Sequence, residues 1–106
     1  MLANHIKAIR STTPDAFAVI AEDGALTYQE LDDKSDRTAA ALVRLGIKKG
    51  QLVAIYTPRT VLALVSLVGV MKAGAAYTVV EDEGMLDEHL HRLSQINPNL
   101  ILSTLI

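Results

Sequence analysis

The chain has 106 residues, half of them hydrophobic, and 10 Lys and Arg against 12 Asp and Glu give a formal net charge of −2. That length allows one domain or part of one, and the slight acidic excess argues against a nucleic-acid partner. The absence of cysteine excludes disulfides, zinc–thiolate sites and cysteine nucleophiles. Because MLANHIKAIRSTTPD lacks the apolar core of a secretory signal, we expect a soluble, cytoplasmic protein.

The first elements predicted along the chain are a helix and a β-hairpin. Leu2 to Arg10 carries apolar residues at helical spacing. Ala16 to Ala21 is typical of a strand, and the acidic turn Glu22-Asp23-Gly24 contains an Asp-Gly pair, a strong hairpin signal. Ala25 to Thr27 is then the short return strand.

A long helix begins after the hairpin with a complete set of start signals. Thr27 can cap it, and Glu30 three residues later completes a capping box. Leu26 and Leu31 are placed as the hydrophobic staple, and Gly46 ends the helix. We predict an apolar side with Leu31, Thr38, Leu42 and Leu45 and a polar side with Asp32, Asp33, Asp36, Arg37 and Arg44. Asp33 and Arg37 are spaced for an ion pair.

The centre of the chain, Gln51 to Val80, predicts a strand, a helix and a second strand. Val53 to Tyr56 is a short apolar run typical of a buried strand. Arg59 to Lys72 can form a helix, with Gly74 just past its end, and Ala75 to Val80 favours a strand. Two parallel strands joined by a helix form a right-handed crossover unit.

The helix in this unit is apolar on all sides. Between Val61 and Met71 the only polar side chain is Ser66. Such a helix is buried all round, in a protein core or in a membrane. Because Arg59 and Lys72 bound the apolar run, we predict a core helix rather than a membrane span.

The last elements predicted are another helix and strand. A stripe of Leu86, Leu90 and Leu93 indicates a helix, which Asn97-Pro98 ends. Leu100 to Ser103 is typical of a final strand. The fold class predicted is therefore α/β: a small, mostly parallel sheet with flanking helices, in the order β-hairpin and then αβαβαβ.

Candidate sites in this sequence are weak. No glycine pattern fits a nucleotide-binding loop. Arg59 at a helix start could meet an anion, but one arginine without glycines indicates a solvated side chain. His89 and His91 with Glu88 suggest a metal, yet residues two apart on a helix point in different directions. The serines lack a nucleophile elbow. Adjacent carboxylates, such as Asp32 with Asp33 and the run Glu81 to Glu83, are interpreted as solubilising. We predict no catalytic, cofactor-binding or metal site.

Two segments nevertheless carry a resemblance. LTYQEL (Leu26 to Leu31) and MKAGAAYTVVED (Met71 to Asp82) resemble the first two core motifs of adenylation domains in nonribosomal peptide synthetases, members of the adenylate-forming superfamily. TPDAFAVIAEDG, RLGIKKGQLVAI and NPNLILST are similar to that family at the expected spacing. The resemblance covers Thr13 to Thr104. Where the family usually reads V-P-L-D-P, this chain has Thr78 to Asp82, without either proline.

The resemblance implies a structural role for these motifs. The family's phosphate-binding loop, ribose-binding aspartate, amino-acid pocket and catalytic lysine have no counterpart among these 106 residues. We therefore expect residues 1–106 to be a truncated N-terminal portion of an adenylation domain, not an enzyme alone, with no cofactor.

Two functions follow from that expectation. The chain is a non-catalytic structural or docking module of a synthetase, or it is a fragment of an amino-acid-adenylating ligase whose remaining parts lie elsewhere. A free-standing nucleotide-binding protein is the weakest alternative. The expected partner is a neighbouring condensation or carrier domain, or a second copy in a dimer, without nucleic acid or membrane.

Overall fold

In the computed structural model, the described residues are 2–57, 60–80, 91–92 and 94–103. The helices are α1 (Leu2–Thr12), α2 (Tyr28–Arg44) and α3 (Thr60–Lys72). The strands are β1 (Phe17–Ala21), β2 (Gly24–Thr27), β3 (Leu52–Tyr56), β4 (Ala76–Val79) and β5 (Leu100–Ser103). Residues 91–92 and 94–96 are also helical. The predicted α/β fold is confirmed. The acidic run 81–83 and the predicted helix start near 86 lie outside the described residues.

The hairpin β1–β2 is antiparallel and contains one irregularity. Phe17 pairs with Thr27, and Ile20 pairs with Ala25. Between these two pairs the register shifts by one residue, at Phe17 to Val19. Paired residues point to the same face of a sheet, and residues two apart on one strand share a face. The shift therefore places Phe17 and Ile20 on one exposed side of the hairpin, opposite the buried Leu26.

The second sheet is parallel and has the strand order β4-β3-β5. Val53 of β3 pairs with Tyr77 of β4 on one side and with Leu100 of β5 on the other. The sheet thus joins residues that are far apart in the sequence. The start of β5 is fixed to β3 twice, since the Asn99 backbone N–H donates to the Leu52 carbonyl at 2.8 Å. The Leu52 N–H in turn donates to the Asn99 side-chain Oδ1 at 2.9 Å.

Strand β3 is buried on both faces, as its apolar sequence predicts. One face carries Val53 and Ile55, which pack with Leu42, Ile47 and Val70. The other carries Ala54 and Tyr56, which cluster with Val80. A separate core lies between the helices and the hairpin; its buried members are Ile6, Leu26, Leu31, Val65 and Val68.

Helix α3 is covered on several sides, as its predicted place in the core requires. The sheet alone would cover one side and leave an apolar patch on the others. In the structure α1, α2 and the hairpin also contact α3, and its apolar side chains are buried or half-buried. The exposed apolar side chains of the described sheet lie instead on its outer strands, at Tyr77, Val79 and Ile101.

The buried side of α2 differs from the predicted one at two positions. Leu45, placed on the apolar side, follows the helix end and is 68% exposed. Asp32, placed on the polar side, is fully buried together with Ser35. Among the described residues, no helix is long and apolar enough to cross a membrane.

Candidate functional site

The most unusual polar feature of the structure is the buried carboxylate of Asp32. Lys72 Nζ donates to its Oδ1 at 2.6 Å, and Arg10 donates to its Oδ2 at 2.7 Å. Lys7 lies 3.2 Å from Oδ2. Asp32 is on α2, Lys7 and Arg10 are on α1, and Lys72 is the last residue of α3. One side chain therefore joins α1, α2 and α3.

The pKa of Asp32 reflects two opposing effects. Burial alone would raise it, because the charged form loses hydration. The hydrogen bonds from Lys72, Arg10 and Lys7 outweigh burial and lower the pKa of Asp32 to about 2. The carboxylate is therefore ionised at neutral pH and stabilises the helix assembly.

The carboxylates of Asp32, Asp33 and Asp36 lie within 4.8 Å of one another, a spacing that could hold a metal ion. Their oxygens are already bound by cations: Asp36 by Lys72 at 2.7 Å, and Asp33 by Arg10 at 2.9 Å. A metal would have to displace these side chains. The cluster is a structural ion network, and our interpretation of Asp32 as a solubilising acid is wrong.

The sequence contains one signal for this network. Lys72 is the only charge on α3, and a charge at the end of a buried helix needs a partner. The acids Asp32 and Asp36 stand four residues apart, on one side of α2. Sequence spacing favoured an Asp33–Arg37 pair instead, but Asp33 binds Arg10.

The capping box at the start of α2 is confirmed. The Glu30 N–H donates to Thr27 Oγ1, and the Thr27 N–H donates to Glu30 Oε1, both at 3.1 Å. The bonds from Thr27 also lower the pKa of Glu30. The LTYQEL motif thus has a local structural role.

The start of α3, where Arg59 was considered for anion binding, receives a carboxylate from the hairpin turn. Asp23 Oδ2 accepts a hydrogen bond from the Val61 N–H at 3.3 Å. A negative charge there complements the helix dipole. Arg59 itself lies outside the described residues, so its role stays untested.

The remaining candidates give no assembled site among the residues the structure describes. His91 is exposed, its carbonyl accepting from Ser94 Oγ at 2.7 Å, and His5 is exposed on α1. Glu88 and His89 lie outside the described residues. Ser66 is buried in α3, and Ser35 Oγ donates to the Asp32 carbonyl at 3.0 Å.

The fold and these motifs agree with a known family. Residues 7–105 match the AMP-binding enzyme family, and the chain belongs to it. Nonribosomal peptide synthetase hkm11 of Aspergillus hancockii is 55% identical over 64 residues, which make up 60% of this chain and 5% of that protein. Malformin synthetase mlfA of Aspergillus tubingensis is 39% identical over 87 residues, 81% of this chain and 2% of that protein.

Solved structures show the same relationship. The N-terminal subdomain of Klebsiella oxytoca NpsA superposes with a TM-score of 0.83 at 25% identity, covering 99% of this chain and 28% of that chain. The nonribosomal peptide synthetase FmoA3 superposes with a TM-score of 0.86 at 26% identity, covering 97% of this chain and 11% of that chain. The predicted resemblance to synthetase adenylation domains is confirmed.

The expectation that the chain is not an enzyme is wrong for the family to which it belongs. It rested on catalytic groups missing from these 106 residues, whereas the family matched over 7–105 is one of AMP-binding enzymes. The chain spans at most 5% of the length of the two synthetases named above. Catalytic groups missing from these residues therefore do not decide whether the family consists of enzymes.

Proposed function

We propose that this chain forms the N-terminal α/β part of an amino-acid-activating adenylation domain in a nonribosomal peptide synthetase. The observation that carries the proposal is the superposition on the NpsA N-terminal subdomain over 99% of this chain. That subdomain is described in complex with 3-hydroxybenzoyl-AMSN, and FmoA3 in an AMPPNP-bound form. In both relatives the fold of this chain is part of a larger, ligand-binding protein.

Within such a domain, this part acts as a scaffold. The Asp32 network locks α1, α2 and α3 together, and α2 and α3 pack on the sheet through Leu42 and Val70. Strand β3, buried on both faces, holds β4 and β5 in register. A rigid sheet of this kind supports substrate-binding loops carried by other parts of the domain.

A domain graft tests this function. The 64-residue stretch of hkm11 that aligns with this chain is replaced by the matching residues of this chain. We expect the grafted adenylation domain to keep amino-acid-dependent exchange of pyrophosphate with ATP, because the scaffold is equivalent. A grafted domain that unfolds cooperatively but shows no exchange contradicts the proposal and favours a docking role.

We also propose neighbouring synthetase domains, condensation or carrier, as the partners of this part. Tyr77 and Val79 stand two residues apart on β4, on one face of the sheet, and are 44% and 46% exposed. Exposed apolar side chains on an outer strand favour burial against another protein surface. In the isolated chain the available surface is a second copy, which gives a symmetric dimer.

Light scattering over a dilution series tests this association. We expect the isolated chain to form dimers and Val79→Lys to shift it towards the monomer. Val43→Lys is the matched control, because Val43 is also an exposed valine but lies on α2. The proposal is contradicted if the parent chain stays monomeric at high concentration and also fails to bind an added condensation or carrier domain.

A further inference from the structure

A groove of about 420 Å³ lies between the hairpin, α2 and α3, away from the Asp32 network. Its floor is apolar and consists of Leu26, Val61, Leu62 and Val65. Leu26 and Val65 are buried, whereas Val61 and Leu62 are half-buried. The floor is therefore part of the core below and open to solvent above.

One wall of the groove is positively charged. Lys34 and Arg37 line it, one turn apart on α2, and both are exposed. The acid spaced to neutralise Arg37 is Asp33, but Asp33 binds Arg10. Within the described parts of the chain, no salt bridge engages Lys34 or Arg37. The Glu30 carboxylate, one turn before Lys34, attracts that cation, but it forms no ion pair with it. Both cations are therefore accessible to a partner.

The hairpin turn contributes Asp23 to the lining of the groove. Its carboxylate is held by the Val61 N–H at 3.3 Å. The groove thus combines a carboxylate from the hairpin turn, two cations from α2 and an apolar floor. This combination of charges favours one orientation of a bound segment.

We propose that this groove binds an acidic, amphipathic segment of a neighbouring polypeptide. Carboxylates spaced three or four residues apart on a helix match Lys34 and Arg37, and leucine-like side chains on the adjoining side cover the floor. The cations are exposed and the groove is open, so its occupant keeps one side in water. A surface segment of a protein fits this arrangement. Binding in the groove does not depend on amino-acid activation.

Fluorescence anisotropy with a designed peptide tests the proposal. The probe is a labelled helical peptide of about 14 residues with leucines on one side and glutamates on the next. We expect saturable binding to the purified chain that Lys34→Glu with Arg37→Glu weakens at least about tenfold. A peptide with lysines in place of its glutamates should bind the double variant better than it binds the parent.

The matched control is Lys48→Glu with Lys49→Glu. These two lysines are also exposed, and their reversal changes the net charge by the same amount. We expect the control to change affinity less than about twofold at physiological salt, because it lies outside the groove. Equal loss in both double variants, or no saturable binding by the parent up to about 1 mM, overturns the proposal. Thermal melts confirm that each variant is folded.

Discussion

Asp32 shows how one residue can join distant parts of a small protein. Its cation partners lie 22, 25 and 40 residues away in the sequence. Removing one partner of a buried ion pair leaves an uncompensated charge, which costs more than the pair contributes. Lys72 is only 11% exposed, so it is the partner most affected by loss of the carboxylate.

Asp32→Asn should therefore destabilise the chain by at least about 2 kcal/mol at pH 7. The folded pKa of about 2 lies below the ordinary value of 3.8. The carboxylate's stabilisation is thus complete above the ordinary value and declines as the pH falls through 4 towards 2. Urea unfolding between pH 7 and pH 2 should show a steeper loss of stability in the parent than in the variant.

Asp33→Asn is the control for this prediction. Asp33 binds only Arg10 among the described residues and is 40% exposed, so its loss should cost less than about 1 kcal/mol. Equal pH dependence in the parent and Asp32→Asn would show that the network contributes nothing to stability.

A second prediction at this scale concerns the capping box. Thr27→Ala should cost about 1 kcal/mol, because the Glu30 N–H loses its acceptor. Thr27→Ser keeps the hydroxyl oxygen and should be nearly neutral. Urea melts of the three proteins measure the difference, and an alanine variant as stable as the parent would contradict the role of the cap.

At the scale of elements, α2 and α3 approach each other closely at Gly69. A Cβ added to Gly69 would lie 2.6 Å from Thr38 Cγ2, 2.7 Å from Thr38 Cβ and 3.2 Å from the Ser35 carbonyl oxygen. Glycine is unfavourable within a helix, but here it permits the two helices to pack at this distance.

Gly69→Ala should consequently destabilise the chain by about 1–3 kcal/mol, although alanine is the better helix former. Thr38→Ser removes Cγ2 but keeps Cβ, so it should relieve only part of the clash. A double-mutant cycle measured by denaturant unfolding tests both statements. Additive effects of the two substitutions would show that the close contact does not carry the cost.

At the scale of elements, local features could be predicted from the sequence, and features that depend on distant residues could not. The capping box and the strands of the central unit were predicted because their signals lie within a few neighbouring residues. The burial of Asp32 was not, because it depends on Lys72, 40 residues away. The exposure of Leu45 was missed because helical periodicity was extended one residue past the end of α2.

At the scale of the whole molecule, β3 organises the sheet. It lies between β4, which follows it through α3, and β5, which comes much later in the chain. The sequence predicted parallel strands but contained no local signal for their order. That order depends on which strand pairs with the second edge of β3, and this pairing is between residues far apart in the sequence.

Asn99→Ala should loosen the junction of β5 with β3. The Leu52 N–H loses its side-chain acceptor, so amide hydrogen exchange at Leu52 should become faster and stability should fall by about 1 kcal/mol. Asn99→Asp keeps an oxygen at this position and should largely preserve protection. Unchanged exchange in the alanine variant would show that the backbone bond alone fixes this end.

The position of β3 also has a consequence during synthesis on the ribosome. Asn99 follows Leu52 by 47 residues, which takes roughly 2–10 s at ordinary elongation rates. Throughout that interval the central strand is already made while one of its edges has no partner from its own chain. An apolar strand left open in this way is prone to pair with a neighbouring nascent chain, so slow translation of residues 53–99 should raise the risk of aggregation.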